Sequence, residues 1–346
     1  MTSNTIPAEM IVPRFMGKGT GEISFAKKPV PEPGPGQLLI QVKANALCGS
    51  ERGQFFGGSE ITPGHEAAGI VADAGPETRT VAGTPGVIYL MDYCGECRSC
   101  ALGFTNQCLD KHGDIGFNRD GGYGPYMLVS ESAFFPTDTD IPMAEATMLL
   151  DVMGTTRHAI ERGLRLREDI RSLGIAGAGP VGLGALAMAK ILLGRDLPVV
   201  ISDLVPYRLD LAERLGGEVI DLREQTIDEG IRDHGLDALD VAIDTSGKGS
   251  ARRSCLEVLA RRGVLVCAGH GEDLVLDVSR DLIAPEHAVA GSEYFRYGAL
   301  ATNLEILREH RPYLRQIITH TYPVRDIREA FELFLGGETG KVIIEQ

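Results

Sequence analysis

The chain has no tryptophan, which excludes nothing, and it is poor in positive charge, which excludes a good deal. Lys and Arg total 34 against 48 Asp and Glu, a formal net charge of -14. Such a surface repels a phosphate backbone, so neither a nucleic acid nor an anionic membrane is an expected partner. The segment Met1 to Met10 lacks both a basic patch and an apolar core, which predicts no secretory signal and a cytoplasmic protein. Long apolar runs are also scarce. Leu173 to Ala189 contains seventeen residues without a charge, but it is dense in glycine, which argues against a membrane span. Cysteine is sparse and odd in number, seven in all, with four inside fifteen positions. That distribution suits a metal rather than disulfides.

What remains is the composition of a folded enzyme-sized protein. At 346 residues with 43% hydrophobic content, the chain is long enough for two cores. Its first third has short alternating strands, such as Gln37 to Ala44 and Gly69 to Ala72, broken by Pro and Gly. From about Glu168 to Gly291 the pattern changes to apolar β-type runs at Arg171 to Ala176, Pro198 to Ser202, Asp240 to Asp244 and Gly263 to Ala268, separated by helix-length segments. This alternation predicts a parallel sheet covered on both faces. A helix over Gly298 to His310, a second over Arg325 to Leu335 and a strand at Lys341 to Ile344 are expected near the end. No repeat and no low-complexity linker interrupts the chain.

Gly177-Ala178-Gly179-Pro180-Val181-Gly182 follows the first of those apolar runs and opens an Ala- and Leu-rich helix. The first two glycines would allow a tight turn close to a pyrophosphate, and Gly182 would let helix and strand pack closely. Asp203 closes the next run, where an acidic group accepts hydrogen bonds from the ribose hydroxyls and repels the extra phosphate of NADP. NAD is the expected cofactor. Arg208 would soften that preference, or else stacks near the adenine or covers the following helix.

Cys94, Cys97, Cys100 and Cys108 form C-x2-C-x2-C-x7-C, four soft ligands able to close on one zinc ion with no open position. Such a zinc would brace its loop. Cys255 and Cys267 read as small buried apolar residues. Cys48, His65, Glu66 and Asp151 are more dispersed. Each alone reads as structural; together they would make a mixed sulfur, nitrogen and oxygen set that leaves a position for substrate.

These segments, Cys48-Gly49-Ser50, Gly64-His65-Glu66, the four-cysteine loop, the Gly177 turn and Gly340-Lys341-Val342, stand in an order that resembles the zinc-containing medium-chain dehydrogenase/reductase family of alcohol, sorbitol and threonine dehydrogenases. The resemblance implies an α/β architecture: a GroES-like β-rich catalytic domain from residues 1–155 and 297–346, a Rossmann doubly wound domain over 156–296, and an active site between them. It implies two zinc ions per subunit. Cys48, His65 and Asp151 would hold the catalytic one, with Glu66 as an exchanging ligand or supporting partner. A carboxylate at Asp151 tilts the substrate towards a polyol, cyclitol, sugar or amino alcohol. Zinc would acidify the substrate hydroxyl, Ser50 would pass its proton on, and Thr155 and Val181 would position the nicotinamide.

Two departures stand out. Glu51-Arg52-Gly53 lacks the histidine that many relatives use to complete the proton relay, and Arg52 cannot deprotonate in its place. Gln54 to Glu60 matches no subfamily pattern. A homodimer or homotetramer is implied, its sheets joined through His287 to Ser292. The competing readings are a zinc-free quinone-type reductase and a non-catalytic NAD-binding sensor, against which the complete ligand set argues.

Overall fold

The structure, a computed structural model, describes residues 6–346; the reading of Met1 to Thr5 lies outside them. The first 136 residues carry nine strands: β1 (Glu9–Gly17), β2 (Glu22–Pro29), β3 (Gln37–Ala46), β4 (Glu66–Ala74), β5 (Pro85–Ile88), β6 (Met91–Asp92), β7 (Gly113–Asp114), β8 (Tyr126–Ser130) and β9 (Phe134–Pro136). A second run follows, β10 (Leu173–Ala176), β11 (Val199–Asp203), β12 (Glu218–Asp221), β13 (Leu239–Asp244), β14 (Leu259–Cys267) and β15 (Ala288–Gly291), and the chain ends with β16 (Ile318–Pro323) and β17 (Lys341–Glu345).

The second run makes one all-parallel sheet in the order β12-β11-β10-β13-β14-β15. This is the strand order of the Rossmann fold, in which the chain reverses direction across the sheet beside its first strand. Strands β10 and β13 are buried along their whole length because helices cover both faces. The uncharged stretch after β10 is explained by the same packing: the helix Pro180–Leu192 is buried from Gly182 to Ala189, with Pro180 preset at its first turn. Gly182 is required there, since a Cβ would collide with the carbonyl of Gly177. No helix among the described residues is long and apolar enough to cross a membrane.

The other large sheet runs β16-β17-β3-β4-β5-β9, with β8 also on β3. Strand β17 pairs antiparallel with β3, so the end of the chain closes a sheet begun near its start. Phe15, Phe55, Tyr123 and Phe331 cement that closure: the Phe55 and Phe331 rings stack at 4.9 Å and Phe15 meets Phe331 edge-on at 5.5 Å. Truncating a buried ring of this kind costs about 3–5 kcal/mol.

Two element boundaries, one helical and one of a strand, differ from expectation. The helix expected to stop at His310 runs over Ala299–Leu314, bending at His310 and carrying Pro312 inside. Proline removes one hydrogen bond, and a kink accommodates it. The other is β14, which begins four residues earlier than expected, at Leu259, because Leu239 pairs with it before a register shift.

Candidate active site

Residues 94–108 form a loop clasped by β6 and β7. All four cysteine sulfurs lie within 4.8 Å of one another, with Cys94 and Cys108 3.5 Å apart and Cys97 and Cys108 4.0 Å apart. Four sulfurs about 2.3 Å from a central ion stand roughly 3.8 Å apart, so the set fits tetrahedral zinc. The backbone N–H groups of Cys100 and Leu109 donate to Cys97 Sγ at 3.5 and 3.3 Å and bring its thiol down to about 6, while burial pushes Cys100 up to about 12. The loop is pinned to the rest of the chain: Asn106 Nδ2 donates to the Glu293 carbonyl at 2.8 Å, and the Tyr297 amide donates to Thr105 Oγ1 at 2.8 Å.

The second set comes from three separate elements. Cys48 follows β3, His65 immediately precedes β4 and Glu66 opens it, and Asp151 starts a π-helical turn, Asp151–Thr155. Turns of that kind are rare and concentrate at functional sites. Gly64 makes the approach possible: its φ is +104°, and a Cβ would sit 2.8 Å from the Tyr123 amide nitrogen. Ligand atoms of Cys48, His65, Glu66 and Asp151 all fall within 4.8 Å of one another. Asp151 Oδ2 lies 3.3 Å from His65 Nε2 and 3.6 Å from Cys48 Sγ. These are the edges expected for mixed ligands about 2.0–2.3 Å from one zinc ion.

Asp151 Oδ1 is turned away and accepts a hydrogen bond from Thr155 Oγ1 at 2.8 Å. Burial opposes the Asp151 charge, but the bond from His65 and the charges of His65 and Lys341 hold its carboxyl down at about 2. Glu66 points instead to Lys341. Both are fully buried and ion-paired through Glu66 Oε1, leaving Glu66 Oε2 with no partner, on the residue grouped with the other three ligands. Burial pushes the Glu66 carboxyl upward against the pull of Lys341.

Glu51 is the organiser that the sequence did not reveal. One oxygen lies 2.8 Å from His65 Nδ1, and the other accepts from Tyr123 Oη at 2.5 Å. The backbone amides of Cys48 and His65 also point at it, each at 3.4 Å. Burial disfavours a charged His65, yet the adjacent Glu51 carboxylate raises its pKa well above the ordinary value. With Nδ1 engaged, Nε2 faces Cys48 and Asp151. This is the carboxylate–histidine arrangement that fixes metal-binding imidazoles. Ser50 is exposed. Arg52 lies 5.0 Å above the Phe56 ring, outside this group.

At the Gly177 turn, φ of Gly177 is +97° and the helix Pro180–Leu192 begins at once. Asp203 is engaged differently from expectation. Its Oδ2 accepts from the Ala178 amide at 2.6 Å and its Oδ1 from the Leu204 and Val205 amides at 2.7 and 3.0 Å, so the carboxylate braces the turn. A carboxylate oxygen has a further lone pair for a ribose hydroxyl. Arg208 reaches over the turn, its guanidinium 3.9 Å from where a Cβ of Gly179 would lie, with Nε buried and unpartnered. A cationic group over a glycine turn at a helix start fits a pyrophosphate. Cys255 is buried as expected, whereas Cys267, at the end of β14, is only half-buried.

A Rossmann sheet beside a barrel-like sheet, with a cysteine loop and a mixed ligand group, defines the class of zinc-binding dehydrogenases. Residues 34–139 match the alcohol dehydrogenase GroES-like domain, and residues 180–309 match the zinc-binding dehydrogenase domain. An L-threonine 3-dehydrogenase of Deinococcus deserti is 30% identical over 336 residues, covering 91% of this chain and 93% of the relative. A thermostable alcohol dehydrogenase from Pyrobaculum aerophilum, solved with cobalt and zinc, superposes with a TM-score of 0.82 at 27% identity over 98% of this chain and all of that one. An Escherichia coli alcohol dehydrogenase complexed with NADH has a TM-score of 0.87 at 20% identity, covering 98% of this chain and 100% of its own. The chain belongs to the zinc-containing medium-chain dehydrogenase/reductase family, and is an oxidoreductase acting on CH–OH groups.

Proposed function

We propose that this enzyme oxidises a secondary alcohol, a polyol, cyclitol, sugar or amino alcohol, to a ketone with NAD. The observation that carries the reading is the convergence of Cys48 Sγ, His65 Nε2 and Asp151 Oδ2 from three distant segments. Bound there, zinc would supply the Lewis acidity that brings a hydroxyl proton within reach of neutral pH, and a dinucleotide held at the Gly177 turn would supply the hydride acceptor. Cys48, His65 and Asp151 hold the metal, and Glu51 keeps the His65 ring turned. Lys341 balances the buried Glu66 charge, so that Glu66 stands ready as a fourth donor. Ser50, exposed two residues past Cys48, takes the substrate proton at Oγ and delivers it to water. Arg52, 5.0 Å above the Phe56 ring, cannot deprotonate and so does not stand in for a relay histidine. Thr155 and Val181 would position the nicotinamide, and Gly177, Gly179, Pro180, Gly182, Asp203 and Arg208 would hold the rest of the dinucleotide.

The domain reading, 1–155 with 297–346 against 156–296, sets this site between the two sheets. The threonine dehydrogenase relative supports including amino alcohols among the substrates. A cytoplasmic homodimer or homotetramer is part of the same reading. The test is metal content per subunit beside NAD reduction over a panel of polyols, cyclitols, amino alcohols and simple secondary alcohols, for wild type and Cys48→Ala. Two zinc ions falling to one with loss of turnover is the expected result. One zinc in wild type and an indifferent Cys48→Ala would instead favour the zinc-free reductase or the sensor.

A further inference from the structure

The helix Gly249–Glu257 follows β13 and carries a buried arginine, Arg252. Its Nε donates to Asp244 Oδ2 at 2.7 Å, and Asp244, the last residue of β13, is fully buried. Its Nη1 donates to the Glu272 carbonyl and its Nη2 to the Gly269 carbonyl. One planar side chain therefore grips a carboxylate at the end of β13 and two backbone oxygens on the segment that leaves β14. Burying a charged pair is costly unless its geometry is good. An apolar side chain would fill the same space without desolvating a charge; what the guanidinium adds is a fixed distance between two loops.

Those loops, residues 245–248 and 268–273, meet backbone to backbone. A Cβ on Gly247, whose φ is +70°, would lie 2.0 Å from the His270 carbonyl oxygen, and one on Gly269 would lie 2.4 Å from the Gly247 amide nitrogen. The first loop reaches the glycine turn, where Thr245 Oγ1 donates to the Gly177 carbonyl at 2.9 Å. Asp244 Oδ1 shapes that loop by accepting from the Ser246 and Gly247 amides at 2.9 and 3.1 Å. The second loop, through Gly269 and His270, walls a cavity of about 420 Å³ that His158 and Ser292 also line. The cavity opens at the carboxyl ends of β14 and β15, where doubly wound folds take their dinucleotide, so it is part of the cofactor cleft. His158 lies one turn beyond Thr155, on the side proposed above for the nicotinamide. Arg252 does not line this cavity; it stands behind the wall.

We infer that Arg252 is a positioning residue for the dinucleotide. Through the Gly269 and Glu272 carbonyls it fixes the wall that receives the nicotinamide half, whereas Asp203 and the Gly177 turn receive the adenosine half without it. The inference rests on the dinucleotide reading of the Gly177 turn. Loss of the two carbonyl tethers should then weaken a ligand that spans both halves more than one that fills only the adenosine side.

The test is a calorimetric titration of NADH and, separately, of ADP into the zinc-loaded enzyme, for wild type and Arg252→Lys. Lysine keeps a positive charge beside Asp244, but a single ammonium on a flexible stem does not span both carbonyls. NADH should bind about fivefold more weakly or worse, as expected for lost charge-assisted bonds, and ADP less than about twofold more weakly. The ratio of the two dissociation constants therefore rises. Arg252→Met combined with Asp244→Asn removes both buried charges together, which avoids an uncompensated Asp244, and should raise the same ratio. A ratio unchanged in both variants overturns the inference, whether neither ligand is weakened or both are weakened equally, as general loosening of the fold would do. A wild type that binds neither ligand overturns the dinucleotide reading, and the inference with it.

Discussion

His65 can offer only Nε2 to a metal, because Nδ1 is taken by Glu51, and Glu51 is itself fixed by Tyr123 and two amides. A side chain held this way acts through the ring it orients. Glu51→Gln keeps the shape but weakens the acceptor, and should cost about 10- to 100-fold in zinc retention or kcat. Zinc content after a timed chelator challenge, read beside kcat, checks this. Lys341→Met poses a different question, since it leaves Glu66 buried without its counter-charge. Removing one partner of a buried pair costs about 3–5 kcal/mol, so the variant should unfold at markedly lower urea while Glu66→Gln/Lys341→Met recovers part of the loss. In the sequence, Cys48, His65, Glu66 and Asp151 stand out as a set through the family resemblance, since each of them alone reads as structural. Glu51 and Lys341 look like ordinary charges there. Lys341 meets Glu66 across 275 positions, and only the pairing of β17 with β3 creates that contact.

At the level of elements, the helix Thr156–Leu164 and the cysteine loop are each held by chemistry that pH or metal removal can reach. His158 is buried on that helix with its pKa depressed to about 4, by burial first and by Arg162 next. A histidine depressed in the folded state leaves the unfolded chain binding more protons below about 6.5, so stability is full above that pH and falls as pH drops towards 4, by up to roughly 1.4 kcal/mol per unit. The difference in unfolding free energy between wild type and His158→Gln, in phosphate-free buffer from pH 7 to 4, should follow that slope; a flat difference would refute it. In the cysteine loop, Cys97→Ser removes the thiol that two amides prepare. We expect one zinc ion to be lost, a melting temperature lowered by several degrees, and early proteolysis near residues 94–108, while Asn106 and Thr105 keep the loop's far end attached. Element types were partly legible from periodicity: the four apolar runs are β10, β11, β13 and β14, whereas the short, half-buried β12 carries no such run and was not expected. Their ends were less so. The Ala299–Leu314 helix continues through Pro312 because Leu307 and Leu314 on either side are both buried, and packing outweighs the local preference to stop.

For the whole molecule, the edge of the parallel sheet is the feature that calls for a partner. Among the described residues strand β15 ends the sheet with one side unpaired, and Val289 within it and Val275, Val278 and Ile283 in the segment before it are exposed, Val275 by 82%. Elsewhere a surface of net charge -14 keeps copies of this chain apart, so an apolar edge that stays bare would be a liability in an otherwise well-solvated protein. In the proposed homodimer, pairing two copies through β15 would satisfy the free backbone groups and cover the apolar side chains in one step, and a closed two-fold arrangement would leave no further edge on that side. Ile283→Glu with Val289→Glu would place four extra carboxylates at such a junction, two from each copy. Light scattering at micromolar concentration should give a mass above one subunit for wild type and a shift to the monomer for the double variant. A monomeric wild type would show that the edge is protected in some other way. Because the two substitutions lie away from the zinc ligands, zinc content unchanged in the variant would separate loss of assembly from loss of fold.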